Sequence, residues 1–144
     1  MNRLTKKADK CVFLGGTCNE SNWRDEIIPQ LKINFFDPRV PDWTLECMKE
    51  ELKQRKECNY VLYVITPKMT GVYSIAEVVD DSNKQPDKTI FCYLTEDKDE
   101  NNNVVKFTDG QIKSLEQVAA MVKNNGGTIC KNLNEVVNYL NGTH

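Results

Sequence analysis

The sequence predicts a single α/β domain on a five-stranded parallel sheet, and three observations predict it. Short apolar runs recur along the chain, helical segments with start signals alternate with them, and 144 residues suit one domain.

The strand signals come first. Cys11-Val-Phe-Leu14 is stopped by Gly15-Gly16, and the same shape returns at Tyr60-Val-Leu-Tyr-Val-Ile65 and Thr89-Ile-Phe-Cys-Tyr-Leu94. Continuous apolar runs of this length suit strands buried on both faces. Weaker runs lie at Ile33 to Phe36, ending at Asp37-Pro38, and at Gly127 to Cys130.

The helical segments fill the gaps. Ser74-Ile-Ala-Glu77, Thr108-Asp-Gly-Gln111 and Asn132-Leu-Asn-Glu135 each place Glu or Gln three residues after a capping residue. Asn22 to Lys32 and Asp42 to Lys56 complete the set, with Pro29 expected to kink or shorten the first. On the second, Leu45, Met48 and Leu52 mark the expected buried face. Asp97 to Asn103 reads as a charged surface loop, and Asn124-Asn-Gly-Gly127 as a helix stop.

Strict alternation with right-handed crossovers leaves few topologies, and the flavodoxin-like order 2-1-3-4-5 is expected. Ligands in such open sheets bind at the carboxyl ends of strands where the winding reverses. That places the site in the loops after the first and third strands, Gly15 to Arg24 and Thr66 to Glu77.

Composition removes several classes of function. Acids and bases nearly balance at a net charge of −2, which argues against a surface that coats nucleic acid. Met1 to Lys10 is polar and basic, so residues 1–9 read as a frayed lead-in rather than a signal or membrane anchor, and a cytoplasmic protein without a membrane partner is expected. The six cysteines then read as reduced thiols, with Cys11, Cys58, Cys92 and Cys130 as core residues. No C-x-x-C pair occurs and the only histidine is His144, so neither a metal site nor a histidine-activated nucleophile is expected.

The candidate residues each carry two readings. Gly15-Gly16-Thr17 through Trp23-Arg24 is either a bare-backbone cradle for an anionic or sugar ligand, or a tight strand exit with Trp23 packed and Arg24 solvated. Cys18 within it could be exposed, but no histidine activates it. Glu77 is either a capping-box partner of Ser74 or a carboxylate turned away from Ile75, Val78 and Val79 toward the loops. Glu51 lies on the flank of its helix stripe, where Arg55 could simply pair with it, whereas Glu50 points to solvent. Asp37, Trp43 and Tyr73 are turn formers and packing, or polar and stacking groups at the mouth.

Taken together, Val12-Phe-Leu-Gly-Gly-Thr17, Asn22-Trp-Arg24, Phe36-Asp-Pro38, Trp43 and Val61-Leu-Tyr-Val-Ile65 through Gly71-Val-Tyr-Ser-Ile-Ala-Glu77 form an ordered series. Over roughly Cys11 to Thr95 the chain resembles the nucleoside 2-deoxyribosyltransferase-like family, particularly its short phage and bacterial branch. The resemblance implies that Glu77 is a nucleophile toward the anomeric carbon of a nucleoside or nucleotide, and that Glu51 takes the place of a family acid on the preceding helix. With the loop positions above, the candidate substrate contacts are Gly15, Gly16, Thr17, Trp23, Arg24, Asp37, Trp43, Tyr73 and Ser74; no cofactor is expected, and the relatives imply a homo-oligomer. Asn59 stands where the family often has an acid, Thr70-Gly-Val-Tyr-Ser-Ile lacks an expected aspartate, and Gly142-Thr-His144 lacks the tail of some relatives. The competing expectation is a non-catalytic nucleotide-binding module with Glu77 as a cap. The two differ in whether the Glu77 carboxylate is bonded back to the Ser74 N–H or projects into a cleft beside Tyr73 and Gly15-Gly16.

Overall fold

In the computed structural model, residues 10–18 and 21–142 are described. The expected lead-in and His144 lie outside them. The chain folds as β1 (Cys11–Gly16), α1 (Trp23–Ile27), β2 (Asn34–Phe36), α2 (Leu45–Glu57), β3 (Tyr60–Ile65), α3 (Tyr73–Lys84), β4 (Thr89–Tyr93), β5 (Glu96–Lys98), β6 (Val104–Lys106), α4 (Asp109–Asn124), β7 (Thr128–Ile129) and α5 (Leu133–Asn141). The main sheet is parallel throughout, in the order β2-β1-β3-β4-β7. With β7 as the fifth strand, this is the expected 2-1-3-4-5. Among the described residues no helix is long and apolar enough to cross a membrane.

Each apolar run splits between the two faces with the period of two that a strand imposes. Val12, Leu14, Leu62, Val64, Ile90 and Cys92 pack with Trp23 and Ile27 of α1 and with Val136, Val137 and Leu140 of α5. Phe13, Val61, Tyr63, Ile65 and Phe91 pack on the opposite face with Val78 of α3 and with Leu115 and Val122 of α4. Uninterrupted apolar sequence is therefore what helices on both faces require.

Four local expectations need correction. The stretch expected as a loop, Asp97 to Asn103, instead lies within a short antiparallel hairpin of β5 and β6. β5 is all charged and β6 carries two valines before a lysine, all largely exposed, so no apolar alternation announces the hairpin. Second, α2 has no buried residue, and Leu45 and Leu52 are more than half exposed. The helix stripe is present, but α3 and α4 occupy the sheet face that it would need. Third, α3 begins at Tyr73 behind Val72, which makes no side-chain cap, so Ser74 and Glu77 form no capping box. Fourth, Asn132 does cap α5, but Glu135 returns its carboxylate to the Lys131 N–H rather than to Asn132. Only Thr108 and Gln111 make the full reciprocal box. Pro29 has its expected effect: α1 ends at Ile27 and continues as a single 3₁₀ turn.

The end of β1 sets the floor of the site. Gly16 has φ +114°, and a Cβ there would stand 2.0 Å from the Val64 carbonyl oxygen. Only glycine combines that conformation with so close an approach. The Thr17 N–H then donates to the same oxygen at 2.9 Å, and Thr17 Oγ1 accepts from the Thr66 N–H, locking the two loops that follow β1 and β3 together.

Candidate functional site

A cavity of about 530 Å³ opens at the carboxyl ends of β1 and β3, where the winding of the sheet reverses. Its floor is Gly15 and Gly16; Arg39 and Val40 after β2 form one side, Trp43 and Glu51 another, and Tyr73, Ser74 and Glu77 at the start of α3 face them. A smaller cavity of about 280 Å³ shares Trp43, Glu51, Tyr73 and Glu77 and reaches Arg55. Glu51 and Glu77, far apart in sequence, thus line the same two spaces.

Glu77 lies at the fifth residue of α3, past the first turn, and its side chain is 13% exposed. Its partner is neither Ser74 nor the helix end but Arg55, whose Nη1 stands 3.3 Å from Oε2. Burial pushes the Glu77 carboxyl up to about 7; Arg55 works against that shift, and the nearby charges of Glu51 and Asp81 add to it. A carboxylate of that pKa in a cleft is the kind of group that active sites contain.

Arg55 is itself held from behind. Its Nε and Nη2 bond the two oxygens of Asp81 at 3.2 and 3.0 Å, and Asp81 is 3% exposed. The Tyr63 hydroxyl donates to Asp81 Oδ2 at 2.5 Å, and Gln85 donates to Asp81 Oδ1 and to the Arg55 carbonyl. A buried carboxylate with this many donors is satisfied, and the guanidinium that it grips cannot swing away from Glu77 without breaking a forked pair. The expected pairing of Arg55 with Glu51 is therefore corrected: Arg55 reaches across to α3. Glu51 instead accepts from the Trp43 indole N–H at 2.8 Å, which holds the ring at the cavity wall.

The other candidate residues separate into two groups. Gly15, Gly16, Trp43, Tyr73 and Ser74 line the cavity, with Trp43 and Tyr73 60% and 71% exposed. Arg24 also borders the cavity but is fully buried there and is not solvated. Its Nε donates to the Leu14 carbonyl, Nη1 to the Thr17 carbonyl and Nη2 to Cys18 Sγ, while the guanidinium lies 4.3 Å from the Trp23 ring centroid. Trp23 is packed, with its indole N–H on the Thr17 carbonyl. Thr17 is buried and bonded to Thr66. Trp23, Arg24 and Thr17 together form the clamp that shapes the first loop.

Asp37 works similarly on the next loop. Arg39 Nε bonds both of its oxygens, Nη2 bonds Oδ2 and the Arg39 N–H bonds Oδ1; against the effect of burial, these hold its carboxyl below the ordinary carboxylate value. Arg39 also pairs with Asp25 at 2.9 Å. The sequence reading missed Arg39, Asp81 and Tyr63. Only Asp37-Pro-Arg39, a turn with an Asp two residues before an Arg, carried a local signal. Among the described residues no group of three or more His, Cys, Asp or Glu is arranged to hold a metal.

The family model described as nucleoside 2-deoxyribosyltransferase like matches residues 9–97, a span from just before β1 to the start of the β5–β6 hairpin that includes every residue lining the main cavity. No curated protein matches the chain.

Proposed function

From the chain's membership of the nucleoside 2-deoxyribosyltransferase-like family, we propose that this protein cleaves or transfers at the N-glycosidic bond of a (deoxy)nucleoside or nucleotide, with Glu77 as nucleophile. The observation that carries the reading is the Glu77 carboxylate, set in the wall of a cavity floored by Gly15 and Gly16 and unattached to Ser74.

The chemistry follows from the two acids. A Glu77 oxygen attacks the anomeric carbon as the bond to the base nitrogen breaks, and the base leaves with a proton supplied by Glu51. The resulting glycosyl ester is opened by a water, which gives hydrolysis, or by the nitrogen of a second base, which gives transfer. Glu51 takes back a proton in that second step. Trp43 and Tyr73 offer aromatic faces for the base, and the glycine floor leaves room for the sugar against bare backbone.

Arg55 has a positioning role in this scheme. It touches one oxygen of Glu77, keeps part of the carboxylate population ionised despite burial, and leaves the second oxygen for attack. The test is incubation with a panel of nucleosides, their monophosphates and NAD, following free base, with and without added acceptor base. Base release that Glu77→Gln abolishes supports the reading. Saturable binding of panel members without release from any of them overturns it and leaves the binding module.

A further inference from the structure

The strongest group outside the cavity is a pair of cysteines at the opposite, amino end of the sheet. Cys11 opens β1, and Cys58 is the residue that ends α2, its N–H on the Gln54 carbonyl at 2.9 Å. The two sulfurs stand 2.9 Å apart, with the Cys58 thiol donating to Cys11 Sγ. The backbones are fixed: the Asn59 N–H donates to the Cys11 carbonyl at 2.9 Å, and the Cys11 N–H donates to Asn59 Oδ1 at 2.9 Å. Cys11 therefore lies opposite Asn59, as the Val12–Tyr60 register continues, and Cys58 stands one residue before that pair, a diagonal offset of ~3.3 Å along the strand. Neighbouring strands are ~4.8 Å apart, and a disulfide needs Cα atoms roughly 4.4–6.8 Å apart.

We propose that Cys11 and Cys58 are a modification site, a dithiol that closes to an intramolecular disulfide and ties the end of α2 to the first strand. The pair differs from the other four cysteines. Cys92 and Cys130 are buried in the core, Cys18 is exposed beside Arg24, and Cys47 sits at the start of α2 on Thr44. Cys11 is partly exposed, whereas Cys58 is 3% exposed, so an oxidant enters at Cys11 and Cys58 resolves.

The oxidant is a low-molecular-weight disulfide such as oxidised glutathione. Cys11, as thiolate, attacks one of its sulfurs and expels one glutathione thiolate, leaving a mixed disulfide. Cys58 then attacks the Cys11 sulfur and expels the second glutathione, which carries away the Cys58 proton. Two protein thiols are oxidised and one small disulfide is reduced to two thiols. The hydrogen bond from Cys58 lowers the Cys11 thiol below its ordinary pKa and raises that of Cys58, which suits this order of attack.

The consequence falls on α2. That helix contributes no buried residue, so a covalent tie at its end acts where packing holds least. The chain closed by the bond runs from residue 11 to 58, long enough for a cross-link to restrict the unfolded state substantially.

The test uses the full chain treated with oxidised glutathione, then alkylated, digested without reductant and mapped by mass. Two of the six thiols are expected to disappear, with a Cys11–Cys58 cross-linked peptide that dithiothreitol removes. The oxidised protein should melt several degrees higher than the reduced protein. Cys11→Ser and Cys58→Ser should each lose both the cross-linked peptide and the shift. A map that stops at glutathione on Cys11, links other cysteines, or joins two chains overturns the proposal. The wild-type map alone decides this, whether or not either variant folds, and base release plays no part in it.

Discussion

Arg55 Nη1 stands 3.3 Å from Glu77 Oε2, while Nε and Nη2 of the same guanidinium fork the buried carboxylate of Asp81. With Asp80 also 3.9 Å from Nη2, one cation serves three acids, and it belongs to the buried Asp81 first. Glu77 receives a single contact from a guanidinium whose remaining donors are committed, which is why burial prevails and its carboxyl is pushed up to about 7.

Glu77→Gln should abolish base release while the fold and ligand binding survive. An amide cannot form the glycosyl ester, so the loss is several orders of magnitude in rate, on the order of 5 kcal/mol in barrier. Because α3 has no side-chain cap, Ser74→Ala should change stability by less than about 0.5 kcal/mol, below the roughly 1 kcal/mol that a real cap contributes. Melting temperature and base release on the same preparations check both statements.

The pH profile follows from the same carboxylate. Nucleophilic attack needs Glu77 ionised, so kcat/KM should rise with pH through an apparent pKa near 7. Stability should run the other way. Between the ordinary carboxyl value of 4.5 and about 7 the native state holds a proton that the unfolded chain has released, so the contribution of Glu77 to stability falls as the pH rises across that window. In Glu77→Gln this part of the slope disappears. Denaturant unfolding at several pH values measures it.

Arg55→Met removes the one charge that works to keep Glu77 ionised, so the rising limb should move above 7. It also leaves Asp81 buried without its cation, for a stability loss of about 3 kcal/mol. Tyr63→Phe deletes the 2.5 Å hydrogen bond to Asp81 but leaves Arg55 in place. It should cost about 1.5–3 kcal/mol and move the limb little. A limb unmoved in Arg55→Met would remove Arg55 from the ionisation of Glu77.

Gly16→Ala should be far worse than its single methyl suggests. The added Cβ would meet the Val64 carbonyl at 2.0 Å and force a side chain onto φ +114°. A loss above about 3 kcal/mol, or failure to fold, is expected, with circular dichroism and urea unfolding as the measurements. At Gly71, where a Cβ meets nothing within 4 Å, alanine should be tolerated.

What the sequence determined by itself is the alternation of continuous apolar runs with helical segments. The runs at Cys11, Tyr60 and Thr89 are apolar on successive residues because both sheet faces are covered, and that pattern with right-handed crossovers leaves few sheet orders, of which the expected 2-1-3-4-5 puts the cleft after the first and third strands. Gly15-Gly16 was legible because it ends the first of those runs, and Glu77 because it lies on the helix that follows the run at Tyr60. Tertiary structure alone decided the partners. Arg55 and Glu51 are one turn apart on α2, yet Arg55 turns to Asp81, 26 residues away, because a buried carboxylate gains more from a guanidinium than a partly exposed one does. Arg24 gave no sign of its burial, since its two shortest hydrogen bonds go to backbone carbonyls that carry no sequence identity. The exposed stripe of α2 was hidden for a related reason: periodicity marks an apolar face, but which helix occupies the sheet depends on the space left by α3 and α4.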